Sequence, residues 1–371
     1  MKLKNRMLAI ILLLIWSAPV SAETVKIASI FSKTGPAAVG NKTTIDGIRF
    51  AVDELNQQGG LLGRKVTLFE IDNHSTALQS KKAAEKAVRH GVVAVFGANW
   101  SSHSLAMAPV LQKAGIPMIS PFSTNPDVTK VGDYIYRICF IDSFQGRIMA
   151  EFATRDLKAK TAAILINASG RYSGGLADFF RQRFNQLGGK VLMESSYLKE
   201  TEDFTAQVRR IAALQPDVVF IPGNIVDSGH FIKQARGAGL SLPILGGDGW
   251  GDAMYQFAGD ELHGSFYSGH WHEDIKDDKS RDFVKRYSEI HGDVEKDAAA
   301  LAHDTVFLYA DAVLRADSLK PGKVREALAS TRHFRGVTGD ITFDRNGDPI
   351  KPAVIMKFEG NRSVYVKSVH P

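Results

Sequence analysis

Few residues in this sequence are arranged in a way that supports catalysis. The chain has no Gly-x-Ser-x-Gly turn, no phosphate-binding loop and no His-Glu-x-x-His pair, so the common signatures of hydrolases, nucleotide-binding enzymes and zinc peptidases are missing. The single cysteine, Cys139, lies in the apolar run Tyr-Ile-Tyr-Arg-Ile-Cys-Phe, which predicts a buried hydrophobic side chain instead of a reactive thiol. We therefore expect no catalytic residue and no enzyme activity.

Three other segments have residue types that could bind a ligand. His270 and His272 alternate on one face of a possible strand, but two histidines without further ligands make a poor metal site, and we predict that both lie on the surface. The glycines of the segment 246–251 have the wrong spacing for a dinucleotide fingerprint. The segment 344–348 lacks the spacing of a calcium loop and predicts a hairpin with Asn-Gly at its tip. No metal or cofactor is expected.

The N-terminus and the charge of the chain predict an exported protein. Three basic residues at positions 2, 4 and 6 precede an apolar run over 7–16, and small residues lead to Ala22, as in a cleavable signal peptide over 1–22. We expect a periplasmic location. The formal net charge of +6 includes those three basic residues, so the mature chain carries about +3. It has no basic cluster, which argues against nucleic-acid binding.

Strand-like apolar runs alternate with amphipathic helical segments along the whole chain. One helix places Ile45, Ile48 and Val52 on a single face, and a second, similar series begins near Thr161. Strands that are apolar on both faces and separated by helices predict parallel sheets covered on both sides, so we expect two Rossmann-like α/β lobes. The predicted strands are 25–30, 66–71, 92–96, 116–119, 162–166, 191–197, 218–221, 242–245, 341–343 and 354–358. The predicted helices are 43–56, 101–113, 176–187, 204–214, 232–238, 283–290 and 298–314.

A series of short motifs, in order along the chain, resembles a known family. The motifs are Gly35-Pro36, Gly59-Gly60, Asp72-Asn73, Phe96-Gly97, Ser101-Ser102, Gly115–Pro121, Gln234–Leu240, Phe343-Asp344 and Gly347-Asp348. Together they resemble the type I periplasmic binding proteins that serve branched-chain amino-acid ABC transporters. The resemblance implies two lobes joined by three crossovers that close on a ligand. It implies lobe 1 from 23–142 and 273–338, and lobe 2 from 143–272 and 339–371.

The resemblance also implies a carboxylate site on the first lobe. Ser101 and Thr124 match the residues that hold the ligand's α-carboxylate, and the backbone of Phe122 and Ser123 is expected beside it. Ser101 is predicted to open a helix, where free N–H groups and the helix dipole favour an anion. From the residues alone, a serine that only caps its own helix is the commoner outcome.

On the second lobe, the resemblance implies an ammonium site. Asp248 matches the acidic residue that pairs with the ligand's ammonium group, at the end of a predicted parallel strand, where open α/β sheets place ligands. A turn-forming aspartate among glycines is the alternative. Tyr172 matches a tyrosine that covers the ligand, and the alternative is a ring that packs on its own lobe.

Three positions depart from the family pattern. Gly40 stands where relatives carry an aromatic residue that packs on the ligand, and Asn224 stands where they carry a tyrosine near the ammonium group. Trp100 is large enough to refill part of the space lost at Gly40. The expected ligand is an amino acid or a related small carboxylate, with an amide, urea or an aromatic acid as alternatives.

The expected role is that of a carrier. The resemblance implies that the protein delivers its ligand to an ABC transporter permease in the inner membrane. An extracytoplasmic sensor that acts on a membrane receptor is the alternative, because the same closure could be read by either partner.

Overall fold

The computed structural model of the protein describes residues 24–199, 201–275 and 277–371. The predicted signal peptide therefore lies outside the described residues. The strands are β1 (Val25–Phe31), β2 (Val66–Asp72), β3 (Ala94–Gly97), β4 (Met118–Ser120), β5 (Ile135–Arg137), β6 (Thr161–Asn167), β7 (Lys190–Tyr197), β8 (Val218–Phe220), β9 (Ile244–Gly246), β10 (Ser265–Gly269), β11 (Phe334–Gly336), β12 (Gly339–Ile341), β13 (Ala353–Glu359) and β14 (Arg362–Val369). The α-helices are α1 (Ala38–Gln57), α2 (Ala77–Arg89), α3 (Ser101–Ala114), α4 (Asp142–Glu151), α5 (Arg171–Gln186), α6 (Thr205–Leu214), α7 (Ile225–Gly237), α8 (Tyr255–Ala258), α9 (Asp278–His291), α10 (Asp297–Ala316) and α11 (Pro321–Ala329).

The first lobe is built on a parallel sheet with the strand order β2-β1-β3-β4-β5. Helices α1 and α10 cover one face, where Ile48 and Leu301 are fully buried in one apolar cluster. Helices α2 and α3 cover the other face around Met107 and Leu111. Because both faces are covered, the central strands must be apolar on both sides. This explains the continuous apolar runs in the sequence.

The second lobe has a seven-stranded sheet with the order β14-β13-β10-β9-β8-β6-β7. Strands β6 to β10 pair in parallel, whereas β13 and β14 run antiparallel at one edge. Two apolar clusters cover its faces, one around Phe231 and the other around Phe180. The predicted fold class, two α/β lobes with parallel central sheets, is confirmed. No helix among the described residues is long and apolar enough to cross a lipid bilayer.

The predicted hairpin around 344–348 is present as a short antiparallel pairing of Phe343 with Pro349. The backbone N–H of Asp344 donates to the carbonyl oxygen of Asp348 at 2.9 Å. The backbone N–H of Ile350 donates to the carbonyl oxygen of Thr342 at 3.0 Å. The pairing extends no further, because Ile341 pairs with Phe334 in a separate two-stranded sheet and β13 pairs with β10 and β14. The turn could be predicted because its residues are adjacent in the sequence. The different destinations of its two flanking segments depend on contacts that are distant in sequence.

The chain passes between the two large sheets three times: after β5, after β10 and before β13. Buried charged groups lie at these crossovers. The Arg137 Nε atom at the end of β5 lies 2.6 Å from the Asp348 carboxylate, and Lys351 donates to the Thr338 hydroxyl at 2.7 Å. Cys139 lies in the first crossover and is fully buried, which confirms the prediction for this side chain.

Candidate ligand site between the lobes

A cavity of about 110 Å³ lies between the two lobes. One water molecule needs roughly 10–15 Å³ by the same measure, so the cavity can hold a group several times larger than water. The first lobe contributes Pro36, Ala37, Val39, Gly40, Asn41, Thr43, Asn99, Trp100, Ser101 and Phe122. The second lobe contributes Tyr172, Asn224, Ile225, Asp248, Gly249, Trp250, Gly251 and Ala253. The segment after the second crossover contributes Glu295, Asp297 and Ala298.

Ser101 is the first residue of α3 and lies on the cavity wall. It is 2% exposed, and its hydroxyl oxygen accepts a hydrogen bond from the backbone N–H of Asn125 at 3.2 Å. The side chain does not cap its own helix, because the N-cap position belongs to Trp100 and no side chain bonds the helix end there. The first turn of α3 thus meets the cavity with its positive dipole end.

The structure brings only part of the predicted carboxylate site to the cavity. Phe122 lines it, but Ser123 and Thr124 are fully buried and are not on its wall. The Ser123 hydroxyl bonds the Ser104 hydroxyl at 2.7 Å and is held at the base of α3. The Thr124 carbonyl oxygen accepts from the backbone N–H of Asp142 at 2.9 Å. These two residues form the layer behind the wall.

The second lobe brings Asp248, Tyr172 and Asn224 to the same cavity. Asp248 follows β9 and is 7% exposed. Tyr172 lies in the first turn of α5, and its hydroxyl accepts a hydrogen bond from the backbone N–H of Gly249 at 3.1 Å. Burial, with Asp248 nearby, raises the pKa of Tyr172 well above its ordinary value. Asn224 is the N-cap residue of α7, and its backbone N–H donates to Asp227 at 2.9 Å.

His270 is not on the surface, and that prediction was wrong. Its side chain is buried, and its Nε2 atom lies 3.0 Å from the Asp248 carboxylate. The ring packs on Phe140 and Phe122, with centroids 3.9 and 4.9 Å apart. Strand β10 ends one residue earlier, so the expected alternation of a strand does not apply. His272, in the same crossover, is half-buried.

Gln145, Glu295 and Asp297 were also missed by the sequence analysis. Gln145 is fully buried and contacts Asp248. Glu295 and Asp297 line the cavity, and burial raises the pKa of both, with Asp252 adding to the effect on Glu295. Such shifts favour the protonated, neutral form of these acids. No sequence motif marks these residues, because Gln145 reaches the site from α4, whereas Glu295 and Asp297 reach it from the segment before and at the start of α10.

Asp142 lies behind the wall, at the start of α4. Burial, together with the nearby charge of Asp248, raises the pKa of Asp142 well above its ordinary value. Within the described ranges, no three His, Cys, Asp or Glu side chains come together in an arrangement that could hold a metal ion. The cavity therefore offers hydroxyl, amide and carboxyl groups and aromatic surface, which are means of binding a small polar molecule.

Comparison with known proteins decides the family. A family model described as periplasmic binding protein matches residues 24–362. The chain belongs to this family of solute-binding proteins. The match confirms the resemblance seen in the motifs, and the family places the protein in the periplasm.

Individual relatives agree with this assignment. The Leu/Ile/Val-binding protein BraC3 of Rhizobium johnstonii is 32% identical over 248 residues, which cover 67% of each chain. The structure of the leucine binding protein LivK from Thermotoga maritima has a TM-score of 0.90 and 33% identity, over 94% of this chain and 99% of that one. The branched-chain amino acid transporter substrate binding protein LivJ from Streptococcus pneumoniae, in complex with isoleucine, has a TM-score of 0.89 and 29% identity, over 94% and 100%.

Proposed function

We propose that this protein is the periplasmic substrate-binding component of an ABC transporter, and that it binds an amino acid or a related small carboxylate between its lobes. One observation carries the proposal: Ser101, at the start of α3, and the Asp248 carboxylate line the same cavity from opposite lobes. A helix N-terminus favours a carboxylate, and a buried carboxylate favours an ammonium group. A zwitterion complements both walls. The names of the relatives, which bind leucine, isoleucine or valine, support the same ligand class.

Binding is proposed to close the two lobes on the ligand. We assign 23–142 with 273–338 to one lobe, and 143–272 with 339–371 to the other. Neither wall alone surrounds the ligand, so a ligand that contacts both walls stabilises the closed form by its differential affinity. The closed form is then the state that delivers the ligand to a permease in the inner membrane.

A ligand screen tests this function. Purified mature protein is heated with single L-amino acids, with amides and urea, and with aromatic acids, and the unfolding temperature is recorded. A ligand that binds only the folded state, present at about 100 times its Kd, adds about 2.7 kcal/mol to the free energy of unfolding. We expect the shift with zwitterionic amino acids. Shifts only with acids that lack an ammonium group would contradict the zwitterion site.

Gly40, Trp100 and Asn224 differ from the family pattern at positions that line the cavity. The proposal therefore does not specify the side chain of the ligand. The same screen, run across aliphatic, amide and aromatic amino acids, ranks these side chains directly. A preference for amides or urea over every zwitterion would favour the alternative carrier function instead.

Export is tested separately. We propose that residues 1–22 are a cleaved signal peptide, so the protein recovered from the periplasmic fraction should begin at Glu23. Intact-mass measurement distinguishes this product from the full chain. A periplasmic protein that retains residues 1–22 would contradict the proposed cleavage.

A further inference from the structure

A buried hydrogen-bond network lies behind the cavity carboxylate of Asp248. Gln145 Nε2 donates to Asp248 Oδ1 at 2.8 Å, and His270 Nε2 lies 3.0 Å from Asp248 Oδ2. Gln145, His270 and Asp248 are 0%, 2% and 7% exposed. Both oxygens of the carboxylate are therefore held from the protein side.

The amide of Gln145 can face Asp248 in one orientation only. Its Oε1 atom accepts a hydrogen bond from the backbone N–H of Asp248 at 3.0 Å and one from the hydroxyl of Ser268 at 3.1 Å. An amide turned by half a rotation would set its NH₂ group against that N–H and its oxygen against the carboxylate. Gln145 is thus a donor to the carboxylate. It stabilises the negative charge without cancelling it.

The His270 ring is fixed by packing and has one partner. Phe140 and Phe122 contact the ring, and its backbone N–H donates to Asp297 Oδ2 at 3.2 Å. The Nδ1 atom is buried and has no hydrogen-bond partner among the residues that the structure describes. A ring protonated on both nitrogens would be a buried cation with an unpaired Nδ1–H donor, and a ring protonated on Nδ1 alone would leave that donor unpaired and turn the Nε2 lone pair toward the carboxylate; both are costly. The neutral tautomer, with its hydrogen on Nε2, avoids this cost and donates to Asp248.

We infer that His270 and Gln145 are positioning residues: two neutral donors that hold the Asp248 carboxylate, still charged, at the cavity wall for the ligand's ammonium group. This rests on the proposed function, since the ammonium group belongs to the proposed ligand. A turn-forming aspartate would need no such pair of donors. Gln145 lies near the start of α4 and His270 directly follows β10, so two of the three crossovers supply the donors.

The first test needs no ligand. Protein labelled with ¹⁵N-histidine is examined by NMR at neutral pH, and the His270 signals are assigned by their loss in His270→Gln. We expect a neutral ring protonated on Nε2 and a clear change of its Nε2–H signal in Asp248→Asn. A ring protonated on Nδ1, or a signal that Asp248→Asn leaves unchanged, would overturn the inference.

The second test is a double-mutant cycle with L-leucine and L-glutamine as calorimetric probes. Because hydrogen bonds to charged groups are the stronger ones, His270→Leu should weaken binding about 10- to 100-fold. His270→Gln, which keeps an N–H donor, should recover affinity to within about threefold of wild type. In the Asp248→Asn background, His270→Leu should add less than about twofold. Losses that multiply fully in the double variant would mean that His270 acts independently of Asp248.

A second variant, at Gln145, tests the inference independently in case the His270 variants do not fold. Gln145→Met keeps the length of the side chain and removes both donors, and it should weaken binding in the same way only when Asp248 is intact. The unfolding temperature of each ligand-free variant shows whether it is folded. If wild type binds neither probe, the NMR comparison alone decides the inference, whereas the ligand screen decides the function. The two failures are therefore distinct.

Discussion

The two walls of the cavity recognise charge in different ways. The part of the first lobe before the first crossover presents a helix N-terminus and the hydroxyl of Ser101, and none of its described residues that line the cavity is acidic or basic. The second lobe presents the carboxylate of Asp248, held by Gln145 and His270. The first wall depends on one local turn of the chain. The second depends on residues that only the folded crossovers bring together, so its chemistry is the more sensitive to substitution.

The largest expected effect comes from removing the charge of the second wall. Asp248→Asn keeps the shape of the side chain and should weaken the binding of a zwitterionic amino acid at least about 100-fold, because it removes one partner of a buried charge pair. Calorimetric titration measures the loss, and the unfolding temperature of the ligand-free variant controls for folding. Equal affinity in both proteins would break the assignment of the second wall.

A smaller effect is expected on the first wall. Ser101→Ala removes one neutral hydroxyl but leaves the backbone N–H groups of α3, so the affinity should fall about 5- to 10-fold, as for one ordinary hydrogen bond. Ser102→Ala, one residue along the same helix and outside the lining of the main cavity, is the matched control. A loss of affinity as large as that of Asp248→Asn would show that the Ser101 hydroxyl, and not the N-terminus of α3, provides most of the binding energy of the first wall.

A substitution at Gly40, where the two walls contact each other, should change the ligand affinity less than Ser101→Ala does. A Cβ atom added at Gly40 would lie 3.1 Å from Ile225 Cδ1 across the cavity, so Gly40→Ala requires a small shift before the lobes can close. We expect affinity to fall about two- to fivefold and to recover in Gly40→Ala with Ile225→Val. Tighter binding by Gly40→Ala would instead mean that the hollow at Gly40 is space left unfilled by the ligand.

The smallest effect on binding is expected at Asp142, a buried carboxyl group behind the wall whose hydrogen bonding is weaker than that of Asp248. Neither of its oxygens makes a hydrogen bond of good geometry, and burial raises its pKa well above its ordinary value. The raised pKa favours the protonated form of Asp142 in the folded state, whereas the unfolded chain loses the proton above about pH 4. Stability is lost as pH rises from there toward the raised pKa, by at most about 1.4 kcal/mol per pH unit.

Asp142→Asn tests this contrast. The variant has no proton to lose, so its free energy of unfolding, measured with urea between pH 5 and 8, should gain on wild type as pH rises. Ligand affinity should change by less than about threefold. Parallel pH profiles would show that Asp142 is charged in the folded protein, and the contrast with Asp248 would then disappear.

The parts of the fold that were predicted correctly are those with a local signal. Helix α1 shows its buried face directly in the spacing of Ile45, Ile48 and Val52, and the fully buried strands β3 and β8 contain only apolar residues and glycine. Strand β10 was not predicted, because the segment Ser-Phe-Tyr-Ser-Gly has small polar residues between its aromatic ones. Its sequence fits a strand only when its neighbours in the sheet are known.

The candidate site divides in the same way. Ser101 opens its helix as its position predicted, whereas Gln145 and Asp248 are separated by 103 residues and meet only in the fold. The prediction that His270 lies on the surface was wrong for the same reason: nothing in the neighbouring sequence, a glycine before it and a tryptophan after it, indicates that the histidine is buried. Sequence patterns predicted several side chains that line the cavity, including Ser101 and Asp248. They missed Glu295 and Asp297, which also line it. They also missed Gln145 and His270, which hold Asp248.

The burial of Cys139 allows fluorescent dyes to be attached at chosen sites of the native protein. It is the only cysteine in the chain, and burial raises the pKa of its thiol above the ordinary value, so thiol-directed dyes should leave the native protein unlabelled. Two cysteines introduced at exposed sites, one replacing Leu62 and the other replacing Leu214, would then carry a donor and an acceptor fluorophore, while Cys139 stays unlabelled. The distance between the dyes would follow the opening and closing of single molecules, and the same pair would serve as a sensor for the ligand.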